Sequence, residues 1–326
     1  MYLAGDIGGT KTHLALYKVK DGEAICIKEH KFRSPDYLNL EKIVKFFLDE
    51  VEDRVEKACF GIAGPIRKGK CRATNLPWIV DEKTLSKELN IEKVSLINDL
   101  VANAYGIRML HKEEFFVLNE GAVYSHGNQA LVSAGTGLGE AGLYYDGTDH
   151  HPFASEGGHC DFAPTNKIED ALLKYLRTKF THISYERILS GPGLYNIYRF
   201  LIDTEVEKEE PEVLHEIEFG DSPLLISKKG INQESKACMR TLDLFASIYG
   251  GEAGNVALKM LALGGVFLGG GIAPKILDVF KKGKFMKSFL AKGRFKNLLS
   301  SIPVSIILND RTALLGSMYY AQNIIK

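Results

Sequence analysis

Cysteine is scarce in this chain of 326 residues. The five, Cys26, Cys59, Cys71, Cys160 and Cys238, are odd in number and lack paired spacing. That pattern excludes a disulfide framework and suits a reducing compartment, for which the cytoplasm is the simplest address. Neither sign of charge is in excess, because 41 Lys and Arg balance 41 Asp and Glu. With no net field, nucleic acid and anionic membrane surfaces are not favoured over a neutral small molecule as partner. Long apolar runs are missing as well. The most apolar stretch, Met260 to Ile272, is interrupted by five glycines and is too short to cross about 30 Å of hydrocarbon. Asp6 arrives before any signal-like apolar region develops, so no cleaved presequence is expected. No long Pro or Ser linker is present, which argues for a compact hinge rather than a tether. What is there, 45% apolar and 25% charged residues, suffices for large buried cores, with two domains expected over one.

The chain opens with a strand from Tyr2 to Ala4, the turn GDIGGT and a second strand, HLALYKV. A charged segment follows, then a helix over Leu40 to Leu48 and a buried strand over 58–63 ending at Gly64-Pro65. A helix from about Asp81 to Leu89 leads to a strand at Val94 to Ile97, whose end holds Asn98 and Asp99. The pattern then recurs: Leu131 to Ala134 runs into GTGLGE and out through Ala141 to Tyr145. Such an echo points to two duplicated α/β units, not a solenoid. Helices are expected over Glu169 to Thr178, Ile197 to Ile202 and Thr241 to Leu263. In the last of these, Gly250, Gly251 and Gly254 invite a kink or a close neighbour. The acidic run Glu205 to Glu218 reads as a solvated excursion. Strands at Val266 to Leu268 and Ile302 to Leu308 and a helix from about Arg311 complete the chain.

Glycine turns expose main-chain N–H groups that can cradle phosphate. Two conventional nucleotide signatures nevertheless fail here. GGTKT lacks the glycine that must precede the lysine of a Walker A loop, and Gly137, Gly139 and Gly142 match GxGxxG inside a hairpin instead of a strand-to-helix turn. Asp6, beside Gly8, Gly9 and Thr10, offers a carboxylate able to hold hydrated magnesium, and Lys11 a point charge. Asp99 is the candidate general base for a hydroxyl, with Asn98 fixing a neighbouring hydroxyl. The same pair also suits the cap of a helix starting near Leu100. Glu156 and His159 flank a flexible Gly-Gly pair and suit a polyhydroxylated ligand, while Glu186 is either a further sugar carboxylate or a helix-surface residue. His150, His151, His159, Cys160 and Asp161 do not have metal-ligand spacing, so no tightly bound metal is expected.

Together, GDIGGT at Gly5 to Thr10, LINDL at Leu96 to Leu100, AGTGLG at Ala134 to Gly139, EGGH at Glu156 to His159, ERILSGPG at Glu186 to Gly193 and GGGIAPK at Gly269 to Lys275 resemble the bacterial-type glucokinase family. The resemblance covers nearly the whole chain and rests on the order and combination of the motifs. It implies an α/β, two-lobed actin-like ATPase (ribonuclease H-like) fold with an interlobe active-site cleft. The small domain would hold residues 1–109 plus 302–326 and the large one 110–301. It further implies transfer of the γ-phosphoryl group of ATP, as Mg-ATP, to the 6-hydroxyl of glucose, with Asp99 as general base. Asn75, Asn98, Asp99, Glu156, His159 and Glu186 fall on its glucose-binding positions. Gly5, Asp6, Ile7, Gly8, Gly9 and Thr10 with Gly135, Thr136 and Gly137 fall on phosphate-binding positions, and Gly269, Gly270 and Gly271 on the nucleotide side. Magnesium would meet Asp6 through water. A homodimer is implied. The related ROK branch carries a cysteine-rich zinc motif after its EGH segment; here Cys160 is isolated, so structural zinc is not expected, and no DNA-binding helices precede the first strand. Phosphorylation of another hexose and a non-catalytic sugar-responsive binding protein stand as the alternatives.

Overall fold

A computed structural model describes residues 1–20, 23–122 and 126–325. The chain divides into two compact units, Met1–Glu114 with Asn309–Lys326, and Phe115–Leu308.

In the first unit, β1 (Tyr2–Ile7), β2 (Lys11–Lys20), β3 (Glu23–Arg33), β4 (Lys57–Ile62) and β8 (Lys93–Asn98) form one sheet in the order β3-β2-β1-β4-β8. A small sheet of β5 (Ile66–Arg67), β6 (Lys70–Arg72) and β7 (Ile79–Asp81) lies between β4 and β8 in sequence. The central strands are buried on both faces, so they alternate large with small rather than apolar with polar. Leu3, Leu14, Leu16 and Phe60 pack with Ile43, Val44 and Phe47 of α1 (Leu40–Leu48). Ala4, Ala15 and Tyr17 face Leu314 and Met318 of the C-terminal helix Thr312–Asn323. That helix is also pinned by a buried hydroxyl: Ser317 Oγ donates to the Gly5 carbonyl at 2.9 Å and accepts from Gly61 N at 3.2 Å. The charged segment after β2 is itself a strand. β3 is the sheet edge, and charge there blunts edge-to-edge pairing. The remaining helices are α2 (Glu82–Leu89), capped by Asp81, and α3 (Asp99–Ile107).

The second unit repeats the plan with β9 (Phe115–Asn119), β10 (Gln129–Ala134), β11 (Leu138–Tyr145), β12 (His150–Ser155), β13 (Gly265–Gly269) and β14 (Val304–Ile307) in the order β12-β11-β10-β13-β14-β9. Its first five strands repeat the directions of the first sheet: two antiparallel pairings on one side of the opening strand, two parallel ones on the other. The duplication expected from the two glycine hairpins is therefore present. β14 pairs with β13 and β9, so residues 302–308 lie with the larger unit, and the compact units change at 114/115 and 308/309 where the sequence reading set 109/110 and 301/302. The helices are α4 (Lys167–Leu176), α5 (Gly191–Asp203), α6 (Pro211–Phe219), α7 (Ser222–Ile231) and α8 (Lys236–Met260), followed by short ones. The acidic run is not merely solvated. Its second half is α6, which starts at Pro211 and buries Ile217, while Glu209 accepts a hydrogen bond from Tyr198 Oη at 3.2 Å. α8 is continuous through its glycines. Their use is close approach, since a Cβ at Gly250 would lie 2.0 Å from the Phe285 carbonyl oxygen.

Candidate active site

In the first unit, Ile7, Ile62 and Asn98, the last residues of the mutually parallel strands β1, β4 and β8, lie in register across the sheet. Adjacent strands are about 4.8 Å apart, and ligands of open α/β sheets gather at such carboxyl ends. Asp6 and Asp99 flank this row. The Asp6 carboxyl, half-buried, is pushed up to about 6, first by its removal from water and then by the charge of Asp99, with Lys11 partly offsetting both. No hydrogen bond to that carboxylate occurs among the described residues.

The turn after β1 is braced by residues that the sequence reading did not single out. Gly8 N donates to the Lys11 carbonyl at 2.9 Å, Ser34 Oγ donates to the Gly8 carbonyl at 2.8 Å, and Ser34 N donates to the Thr10 carbonyl at 3.1 Å. Thr12 Oγ1 meets Ser34 Oγ at 2.9 Å. Both hydroxyls are buried, so they satisfy the turn and each other instead of water. A Cβ on Gly9 would lie 2.9 Å from Asn75 Cβ, which places the Asn75 turn directly against the glycine turn; Asn75 holds a left-handed φ of 62°. The sequence signal for this brace is thin, because Thr12 and Ser34 are separated by the whole of the β2–β3 hairpin.

Of the pair Asn98 and Asp99, Asn98 alone takes the capping role. Asn98 is the cap of α3: its Oδ1 accepts from Leu100 N at 3.0 Å and Val101 N at 3.3 Å. Its Nδ2 has no partner among the described residues and is left to donate outward. Asp99 is the first helical residue and not the cap.

In the second unit the two glycine turns meet. Gly135 N donates to the Gly137 carbonyl at 2.8 Å, and the Gly135 carbonyl accepts from Gly191 N at 2.8 Å, which ties the hairpin to the start of α5. Ile272 N donates to the Ala134 carbonyl at 3.2 Å, bringing Gly269–Gly271 alongside; Gly270 has a φ of 79° and no room for a Cβ, which would fall 2.2 Å from the Ala134 carbonyl oxygen. Glu156 precedes a single 3₁₀ turn, Gly157–His159. Glu186 lies in another, Tyr185–Arg187, so it is not a surface residue of an α-helix. Its Oε2 accepts from Leu138 N at 3.0 Å, and a Cβ on Gly137 would sit 2.5 Å from that oxygen. Its Oε1 lies 4.0 Å from His159 Nδ1. Glu186 thus straps the glycine hairpin with one oxygen and faces the imidazole with the other, while Glu156 and His159 are exposed. His150 and His151 turn elsewhere: His150 Nε2 lies 3.0 Å from the Gly127 carbonyl, and His151 pairs with Asp146 at 2.7 Å.

The sequence-predicted residues therefore fall into two clusters, Asp6 to Thr10 with Asn75, Asn98 and Asp99 in the first unit, and Gly135 to Gly137, Gly269 to Gly271, Glu156, His159 and Glu186 in the second. A family model described as Glucokinase matches residues 3–324. A glucokinase of Trichormus variabilis is 41% identical over 333 residues, covering 97% of this chain and 97% of that one. The crystal structure of a glucokinase from an Antarctic psychrotroph superposes with a TM-score of 0.85 at 29% identity, covering 99% of this chain and 98% of that one. That of the Balamuthia mandrillaris glucokinase, a complex with glucose, superposes with a TM-score of 0.82 at 21% identity, covering 99% and 93% respectively, and speaks to the fold alone. The fold class is that of the actin-like ATPases. With the family model matched from residue 3 to residue 324 and a relative 41% identical over 97% of the chain, the chain belongs to the glucokinase family.

Proposed function

We propose that this glucokinase transfers the γ-phosphoryl group of ATP to the 6-hydroxyl of glucose with Asp99 as general base. The observation that carries this reading is the row Ile7, Ile62, Asn98 at the carboxyl ends of three parallel strands, with Asp6 and Asp99 coupled electrostatically beside it. As the sugar oxygen bonds to phosphorus and the bridge to the leaving ADP breaks, the hydroxyl proton passes to the Asp99 carboxylate. Asn98 Nδ2 donates to a neighbouring hydroxyl, and Asn75, Glu156, His159 and Glu186 fix the others. The N–H groups of Gly9 and Thr10 and of Thr136 and Gly137, which the turns' own hydrogen bonds leave over, receive the phosphates, and Gly269–Gly271 borders the nucleotide. An Asp6 carboxylate that accepts no hydrogen bond among the described residues fits the hydrated magnesium that arrives with ATP. That ion would neutralise charge on the phosphates. The cytoplasm as the site of action and a homodimer as the assembly belong to the same reading.

The test is a steady-state assay with Mg-ATP across glucose, mannose, fructose and N-acetylglucosamine. Dominance of glucose in kcat/KM is expected. A different preferred sugar would move the error to the Glu156, His159 and Glu186 pocket, and no turnover would sink the reading. Asn98→Asp gives a sharper probe, because aspartate caps a helix as well as asparagine does but cannot donate. Thermal stability should be unchanged while KM for glucose rises about 10–100-fold, the cost of one lost buried donor. A loss of stability with KM intact would mean that Asn98 only caps.

A further inference from the structure

Two glutamates of the second unit are almost wholly removed from water. Glu140 on β11 is 2% exposed and Glu252 on α8 is 0% exposed. Taken as two carboxylates, each leaves its Oε1 without a hydrogen-bond partner among the described residues. A buried, unpaired carboxylate costs several kcal/mol. One proton between the two supplies the missing donor, and Glu140 holds it: burial, followed by the charge of Glu252, pushes its carboxyl up to about 8, with Lys259 partly offsetting.

The pair sits at the base of both sugar-side turns. A Cβ on Gly157 would lie 1.9 Å from Glu140 Oε2, so the Glu140 carboxyl packs directly on the backbone of the turn that carries Glu156 and His159. Glu252 reaches the other turn. Its Oε2 accepts from Asn255 Nδ2 at 2.8 Å, and the same amide donates to the hydroxyl of Tyr185, the neighbour of Glu186, at 3.1 Å. Tyr185 N in turn donates to the Cys160 carbonyl at 3.1 Å, just beyond His159. Lys292 Nζ closes the network on Asn255 Oδ1 at 2.5 Å and the Gly251 carbonyl at 2.8 Å.

We infer that the proton-sharing Glu140–Glu252 pair is a positioning device that sets the spacing of the turns bearing Glu156, His159 and Glu186, and thereby the affinity for the sugar. The inference rests on the reading of those three residues as sugar ligands. The groups facing the pair are Lys259 and Tyr249 from α8, Lys292 from the segment after the helix Lys284–Phe289, Tyr185 from its 3₁₀ turn, and Glu169 of α4 through its field at Tyr185 and Lys292. Of these, Lys259, 3.7 Å from Glu252 Oε1 and half in water, and Lys292, through its field at Glu252, bring positive charge to the pair. When the shared proton leaves, at pH above about 8, two buried carboxylates repel one another under Gly157. The turn should shift and glucose should bind less well.

The experiment measures KM for glucose, KM for ATP and kcat from about pH 6 to 9.5 for the wild type, Glu140→Gln, Glu140→Leu and, as a control on the site itself, Glu186→Gln, with melting temperatures alongside. Glutamine keeps the donor permanently. Glu140→Gln should match the wild type near neutrality and lack the alkaline rise in glucose KM. Glu140→Leu should raise glucose KM about tenfold, a coupling of ordinary size for residues in one network, at every pH, with ATP KM and kcat little changed. An alkaline rise that persists in Glu140→Gln overturns the inference, as does an unmoved glucose KM in a folded Glu140→Leu. Should the leucine variant fail to fold, the glutamine pH profile decides. If Glu186→Gln leaves glucose KM unmoved, the sugar-site reading itself has failed; if it raises KM while the Glu140 variants behave as wild type, only the positioning role has.

Discussion

Asp99→Asn should lower kcat by about 10²–10⁴-fold, the range that a positioned general base supplies, while glucose still binds and the protein stays folded. The structural ground for expecting an intact fold is the division of labour at the start of α3. The cap hydrogen bonds come from Asn98 Oδ1, and nothing in that cap requires a carboxylate at position 99. Asparagine at 99 preserves shape and loses the ability to take a proton as the O–P bond forms. A kcat loss matched by an equal loss in kcat/KM, at unchanged glucose affinity by calorimetry, is the signature of an interaction made only in the transition state. Retained turnover would require another base. Lost sugar binding together with a lowered melting temperature would return Asp99 to a structural role. The sign of one side effect is also fixed: removing the Asp99 charge takes away one of the two influences holding the Asp6 carboxyl high, so Asp6 should titrate at lower pH in this variant.

The motifs that carried the family resemblance are short, local and glycine-marked, which is why they were legible. A hairpin that must bare its N–H groups has few other ways to be written, and its recurrence at Gly5 and Gly135 gave the duplicated plan before any sheet order was known. Three kinds of feature were hidden. β3 reads as a charged segment because an edge strand buries only part of one face; Phe32 is its single buried side chain among the described residues. The acidic run read as solvated because composition cannot show that Ile217 of α6 is fully buried. Residues that support the site from behind, Ser34, Thr12, Glu140 and Glu252, carry no motif, since their partners lie far off in the chain. The signal for the last two was present all the same. A glutamate inside LGEAGLYY and another inside IYGGEAGNVAL each interrupt an apolar element, and such a residue must be paired, protonated or functional. The pairing of β14 with β9 carries no local signal for a similar reason, because it joins residues nearly two hundred positions apart.

Asp6→Asn should cost activity and add stability, an opposition that ties the phosphate turn to the energetics of the fold. On the activity side, the loss of a carboxylate that holds hydrated magnesium should reduce kcat/KM for Mg-ATP by about 10²-fold or more, as does removal of a supporting electrostatic group. On the stability side, the folded Asp6 carboxyl titrates near 6, against 3.8 for the ordinary value. Between those two values the folded chain holds a proton that the unfolded chain has released, so stability falls as pH rises through that window and stays at its reduced level above it. Asparagine carries no such penalty. At pH near 7.5 the variant should therefore be more stable by about 1–3 kcal/mol, from a shift of roughly two pKa units at 1.4 kcal/mol each, discounted for a side chain still partly open to water. Below about pH 4, where the wild-type carboxyl is protonated in both states, the gain should vanish. Urea denaturation of both proteins at the two pH values checks this. A variant less stable than the wild type at pH 7.5 would mean that Asp6 makes favourable contacts as an anion and is part of the scaffold. A variant that is more stable and inactive would mark Asp6 as a charge kept at a cost to folding for the sake of the phosphoryl donor.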